Sequence, residues 1–126
     1  MKVAIVGSRS FADYGRMVSF LEELCLTRQI TIDLIISGGA HGADALAERL
    51  ASEYEIPTEI YKADWAQYGK RAGYIRNRLI IAACDICIAF WDGMSKGTKM
   101  DIDLCSELGK ECIICRYDSD STSAQP

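Results

Sequence analysis

Five short apolar runs punctuate the chain: KVAIV at 2–6, DLIIS at 33–37, TEIY at 58–61, ICIAF at 86–90 and ECIIC at 111–115. Their apolar residues are largely continuous rather than alternate, the pattern of strands covered on both faces. Between the runs the spacing changes to that of a helix. Met17, Phe20, Leu21, Leu24 and Cys25 predict one buried face, and Ala43, Leu46, Ala47, Leu50 and Tyr54 a second. Ala72, Ile75, Leu79, Ala82 and Ala83 predict a third, and Met100, Leu104, Cys105 and Leu108 a fourth, with Gly109 placed to cap its end. Strand and helix alternating in this way predict a three-layer, Rossmann-like α/β domain around a parallel sheet of about five strands. One such domain fits residues 1–117, and the polar segment DSDSTSAQP, with its boundary near 118–126, reads as a disordered tail.

The loops at the carboxyl ends of these strands differ from those at the other edge. GSRSF follows the first run, SGGAHGAD the second, KADWAQYGKRAGYIRN the third and WDGMSKGT the fourth, whereas the opposite connection EYEIP has no glycine. In open α/β sheets the carboxyl edge forms the ligand crevice. Gly38, Gly39 and Gly42 free the backbone to turn where a helix begins, and a helix start offers unpaired N–H groups and a positive dipole end to an anion. Gly93 and Gly97 bracket Lys96 in the same setting, with Thr98 expected to open the fourth helix. Gly7, Ser8 and Arg9 add a hydroxyl and a guanidinium to that edge. Each loop alone is also explained by a tight turn; two of them at one edge favour a cleft for a phosphate with its sugar or base.

Composition narrows the ligand. The chain of 126 residues carries a net charge of −4, which argues against non-specific nucleic-acid binding. Yet Lys62, Lys70, Arg71, Arg76 and Arg78 face only Asp64 in sequence, a local basic stretch suited to a specific anion. Asp101 stands three residues after Thr98 in a capping-box pattern, so it reads either as a cap or as a ligand group. His41 is the single histidine and reads as an exposed loop residue. Trp65 and Trp91 bracket the loops and offer faces for a base or walls for a cleft.

The six cysteines include Cys84–Cys87 and Cys112–Cys115, each spaced as CxxC. If each pair lies on a strand, positions i and i+3 point to opposite faces and cannot share an ion, so no metal and no cofactor are expected. Free thiols and the lack of any long apolar span suggest a cytoplasmic protein with no membrane association.

Together, GSRSF, SGGAHGAD, WAQYGKRAGYIRN and CDICIAFWDGMSKGT resemble the YspA-like (YAcAr) branch of the SLOG superfamily, over nearly the whole chain except the tail. The resemblance implies a Rossmann-like fold that binds nucleotides or nucleotide-derived ligands. Members of the superfamily cleave such ligands, sense them or bind single-stranded DNA, and some relatives sense cyclic ADP-ribose signals in bacterial antiphage defence. In the LOG phosphoribohydrolases the site resembles an arginine before the fourth strand and P-G-G-x-G-T-x-x-E after it. Carried over, Arg76 matches the arginine, Gly97 and Thr98 the G-T, and Asp101 the glutamate. Trp91, Asp92 and Gly93 replace P-G-G with a longer approach, and the carboxylate arm is one methylene shorter.

The implied role is a binding module that senses or sequesters a nucleotide or ADP-ribose-like molecule. Phosphates are expected at the amides of Gly38, Gly39, Gly97 and Thr98 with Arg9, Arg76 or Lys96, ribose at Asp101 and Asp44, and the base at Trp65 or Trp91. Ser37, Asn77, Asp92 and Ser95 complete the expected lining. The alternative is an N-glycosidase on nucleoside monophosphates, with Arg76 and Asp101 catalytic. Helical spacing separates Arg76 from Arg78, and the resemblance favours Arg76 as the inward one. LOG relatives form dimers, which implies a homo-oligomer; Tyr68 and Tyr74 belong either to its interface or to the cleft.

Overall fold

The computed structural model describes residues 1–118. Five parallel strands form one sheet in the order β3-β2-β1-β4-β5. They are β1 (Lys2–Gly7), β2 (Leu34–Ser37), β3 (Thr58–Ile60), β4 (Ile86–Trp91) and β5 (Glu111–Arg116). The helices are α1 (Tyr14–Thr27), α2 (Ala43–Glu53), a short α3 (Trp65–Tyr68), α4 (Ala72–Ala83) and α5 (Lys96–Glu107). The tail expected at 118–126 lies, apart from Asp118, outside the described residues. Among the described residues no helix is long and apolar enough to cross a membrane.

Successive strand residues feed opposite faces of the sheet. Val3 and Ile5 join Ile35, Ile86, Ile88 and Phe90 under α1 and α2, where Met17, Leu21, Ala47 and Leu50 pack. Ala4 and Val6 join Ile36, Cys87 and Ala89 under α4 and α5, against Ile80, Ile81 and Leu104. Since both faces are covered, every position in the centre of the sheet must be apolar, which explains the continuous runs. The β1 side of the sheet is served by helices on one face and the β4 side by helices on the other. The chain therefore diverges after β1 and β4, leaving a crevice between them.

Three sequence expectations change. On α4 the buried residues are Ala72, Ile80 and Ile81, whereas Leu79 is 51% exposed and Ala82 is exposed. The segment LIIAA is apolar on several sides, so its periodicity does not fix which side faces the sheet. Helix α5 starts at Lys96 with Ser95 as its N-cap, so Thr98 is inside the first turn and Asp101 lies a turn further on. The capping-box reading of Thr98 and Asp101 fails for that reason. Finally, Cys84 closes α4 and precedes β4, so it lies on the same face as Cys87. Cys112 and Cys115 do point to opposite faces, as a strand requires.

Two glycines join the loops. Gly7 lies so close to α2 that a Cβ there would sit 2.6 Å from the Ala43 Cβ and 2.8 Å from the Phe90 carbonyl. Gly42 has φ 75°, and a Cβ on it would meet the carbonyl oxygens of Ser8 and Arg9 at 2.4 Å. Gly42→Ala is expected to lose about 3 kcal/mol or more, because both strain and backbone overlap oppose the side chain. Thermal unfolding checks this: a drop of roughly 10 °C is expected, against little change for Gly97→Ala, whose Cβ would meet nothing within 4 Å.

Candidate functional site

A cavity of about 710 Å³ occupies the crevice beyond β1 and β4, within the range of small-molecule sites. The end of β1 contributes Gly7, Ser8, Arg9 and Ser10, and the loop and helix after β4 contribute Asp92, Ser95, Gly97, Thr98 and Asp101. Helix α4 supplies Gly73, Tyr74, Arg76, Asn77 and Ile80, and Asp44 enters from α2. Trp65, Lys70, Ala40 and Met100 complete the walls. A smaller recess adjoins it, lined by Gly38, Gly39, His41 and Lys62 and sharing Arg9, Ala40, Trp65 and Arg76.

The amide donors are distributed unequally. At the start of α2 the Ala43 N–H donates to the Ser8 carbonyl at 3.2 Å, and the Ala40 N–H donates to Asp44 Oδ2 at 3.2 Å. The Gly39 N–H reaches the Ser37 hydroxyl at 3.4 Å. The SGGAHGAD loop is thus largely satisfied from within, and its glycines serve close approach. A Cβ on Gly38 would lie 2.8 Å from the Arg76 guanidinium and 2.9 Å from the Asp44 carboxylate. Neither helix start is capped by a side chain: Gly42 places none on α2, and Ser95 none on α5. Asp92 instead holds the loop before it, accepting from the Met94 and Ser95 N–H groups, each at 2.8 Å. These two donors keep the Asp92 carboxyl below its usual range. The amino end of α5 stays open beside Gly97 and Thr98, with its dipole directed at the cavity.

Arg76 is the hub of the charged groups. Its Nη1 donates to the Gly38 carbonyl at 2.7 Å and its Nε to Asn77 Oδ1 at 2.6 Å. Arg78, on the other side of α4, pairs with Glu107 at 2.7 Å on the surface. Asp44 and Asp101 share Arg76 as their nearby cation. Asp101 is 6% exposed, and its Oδ1 has no hydrogen-bond partner among the described residues. Burial, reinforced by the Asp44 charge and only partly offset by Arg76, pushes Asp101 up to about 7. Burial also raises Asp44, against the pull of the Ala40 N–H and Arg76.

Of the expected ligand contacts, Gly7, Ser8, Arg9, Asp44, Trp65, Arg76, Asn77, Asp92, Ser95, Gly97, Thr98 and Asp101 share the main cavity. Gly38 and Gly39 line the adjoining recess. Ser37 is fully buried, donating toward Glu48 at 3.2 Å, and Gly42 is occupied with the β1 loop. Neither Ser37 nor Gly42 is among the residues that line the main cavity or the adjoining recess. Trp91, Gly93 and Lys96 line a neighbouring shallow groove with Met94 and Lys99, which shares Met100 with the main cavity. The Trp91 Nε1 donates to the Ser95 carbonyl at 3.1 Å, and Arg116 lies 5.7 Å from its ring centre. Of the two tryptophans, Trp65, 54% exposed, lines both recesses, and Tyr74 adds a second aromatic side chain to the main cavity. Ser10, Lys70 and Tyr74 also line the cavity. Ser10 stands before Phe11 in the GSRSF loop, Lys70 belongs to the basic stretch, and Tyr74 is the tyrosine left open between cleft and interface.

The comparisons agree with this architecture. A chain from Helicobacter pylori, DNA processing protein A, described for its unique single-stranded DNA binding mode, superposes with a TM-score of 0.63 at 22% identity. That match spans 97% of this chain and 70% of the other, a likeness of fold. The Gene 61 protein of Mycobacterium phage D29 is 36% identical over 104 residues, covering 78% of this chain and 82% of the relative. The sequence profile of one family matches residues 1–68, which hold the β1 and β2 loops and Trp65. By that match and the phage relative, the chain belongs to the YspA, cpYpsA-related SLOG family.

Proposed function

We propose that the protein binds a nucleotide-derived small molecule, a nucleotide or an ADP-ribose-like signal, across the β1–β4 crevice, and acts as its sensor or sequestering partner. One observation carries the reading: among the described residues a buried carboxylate oxygen of Asp101 has no hydrogen-bond partner, and Asp101 lines a cavity that also holds Arg9, Lys70 and Arg76. A ligand with vicinal hydroxyls and a phosphate supplies both deficits. The hydroxyls donate to Asp101 and Asp44, the phosphate takes the open α5 amides with Arg9, Lys70 or Arg76, and the base lies on Trp65. Family membership supports a nucleotide-related ligand. Self-association remains part of the proposal, with the exposed Tyr68 and Tyr74 as candidate contact residues for it.

A second reading is favoured by the two carboxyls in one cavity, both raised, with a guanidinium between them in effect. In that reading Asp101 stabilises a developing oxocarbenium ion while Arg76 holds the phosphate or leaving group, and an N-glycosidic bond is hydrolysed. The relative from Helicobacter pylori suggests single-stranded DNA instead, which the net charge of −4 opposes.

Calorimetric titration with nucleoside monophosphates, ADP-ribose and a short oligonucleotide separates these readings. Saturable binding of a small ligand without release of free base is expected; free base above blank supports hydrolysis, and oligonucleotide binding alone overturns both. Asp101→Asn is expected to weaken the ligand by roughly tenfold to a hundredfold, through loss of a charge-assisted hydrogen bond. Gly97→Ala, harmless to stability, is expected to weaken it by crowding the α5 amides.

The same carboxyl gives a pH signature. With its folded value raised to about 7, Asp101 favours the protonated form. Its contribution to stability is complete at low pH and is lost as pH rises through that value. Unliganded Tm is expected to fall between about pH 4 and about pH 7, and Asp101→Asn to flatten the fall and raise Tm at the alkaline end. Ligand affinity is expected to change in the opposite sense, rising with pH as the carboxylate forms.

A further inference from the structure

Away from the crevice, three cysteines distant in sequence meet. Cys87 on β4 stands directly opposite Cys112 on β5 in the parallel register. Both lie on the face covered by α4 and α5, and Cys105 of α5 is set over them. The three sulfurs all lie within 4.8 Å of one another. Cys87 and Cys105 are buried, and Cys112 is half-buried on the edge strand, which leaves one approach from solvent. None of the three lines the cavity assigned to the nucleotide ligand.

We infer that Cys87, Cys105 and Cys112 form a three-thiolate site for a soft monovalent cation, Cu(I). Sulfurs bound to one ion at about 2.3 Å lie roughly 4 Å apart, so the spacing found needs little adjustment. Among the described residues no fourth ligand joins the cluster. Structural zinc and iron–sulfur clusters use four ligands, whereas soft, closed-shell Cu(I) accepts three thiolates. Lys110 provides a nearby cation, its amine held by the Cys84 carbonyl at 2.7 Å and the Ala82 carbonyl at 3.2 Å. It offsets part of the negative charge that three thiolates leave around one monovalent ion. Binding breaks the three S–H bonds, forms three Cu–S bonds and passes the protons to solvent, with no change of oxidation state. Because Cys105 follows Asp101 by one helical turn, an ion here also ties α5 to the two strands beneath it.

The test is titration of the full chain, reduced and kept free of oxygen, with Cu(I) against a coloured competing chelator. One retained equivalent is expected, with the ultraviolet thiolate-to-copper absorption, a copper K-edge spectrum of three sulfur neighbours, and a rise in Tm. Cys105→Ser and Cys112→Ser are expected to lose the retained equivalent, while Cys25→Ser and Cys115→Ser keep it. Where Cys105→Ser fails to fold by circular dichroism, Cys112→Ser at the half-buried position and the K-edge of the unaltered chain decide. Surrender of all copper to the chelator, retention by both Cys105→Ser and Cys112→Ser, or retention of Zn(II) in preference to Cu(I) overturns the assignment.

Discussion

The carbonyl oxygen of Ser8 joins the parts of this molecule that the sheet alone would leave independent. It accepts the Phe11 N–H that turns the chain after β1 and the Ala43 N–H that begins α2. For one oxygen to serve both, the two loops must touch backbone to backbone, and Gly7 and Gly42 are the residues that permit it. This contact fixes one wall of the crevice and occupies the first amide of α2, while across the crevice Gly97 and Thr98 at the start of α5 line the cavity. Two glycine loops that look alike in sequence therefore differ in structure: Gly42 packs against the β1 loop, whereas a Cβ on Gly97 would meet nothing within 4 Å.

The second constraint is electrostatic. Asp44 and Asp101 are buried within reach of a single guanidinium, and Arg76 divides its hydrogen bonds between the Gly38 carbonyl and Asn77 rather than closing on either acid. A protein selected for stability alone would remove such a carboxyl or pair it. Among the described residues Asp101 keeps a buried oxygen without a hydrogen-bond partner, and burial raises its carboxyl to about 7. The proposed function and the pH dependence expected of the unliganded protein rest on this one group.

Much of the fold is legible in the chain because it depends on near neighbours. Continuous apolar runs mark strands covered on both faces, and all five lie where the pattern places them, to within a residue or so at each end. The buried faces of α1 and α5 follow from three- and four-residue spacing, as does that of α2 except for Tyr54, which lies past the helix end and is 49% exposed. Glycine content marks the edge that carries the candidate site. The face of α4 does not follow, since Leu79, Ile80 and Ile81 are all apolar and only the sheet beneath chooses among them. The four-residue helix at Trp65–Tyr68 is too short for any periodicity to announce it.

Sequence alone thus determined the strand and helix order, the parallel sheet and the candidate groups Arg9, Arg76, Thr98 and Asp101, because those depend on local spacing and residue chemistry. Tertiary structure decided which glycine serves packing and which an open amide, which tryptophan faces the cleft, and that Cys87, Cys105 and Cys112 converge. Those outcomes rest on contacts between segments tens of residues apart. The hydrogen-bond partner or sulfur neighbour that settles each of them does not exist until the sheet has brought the segments together.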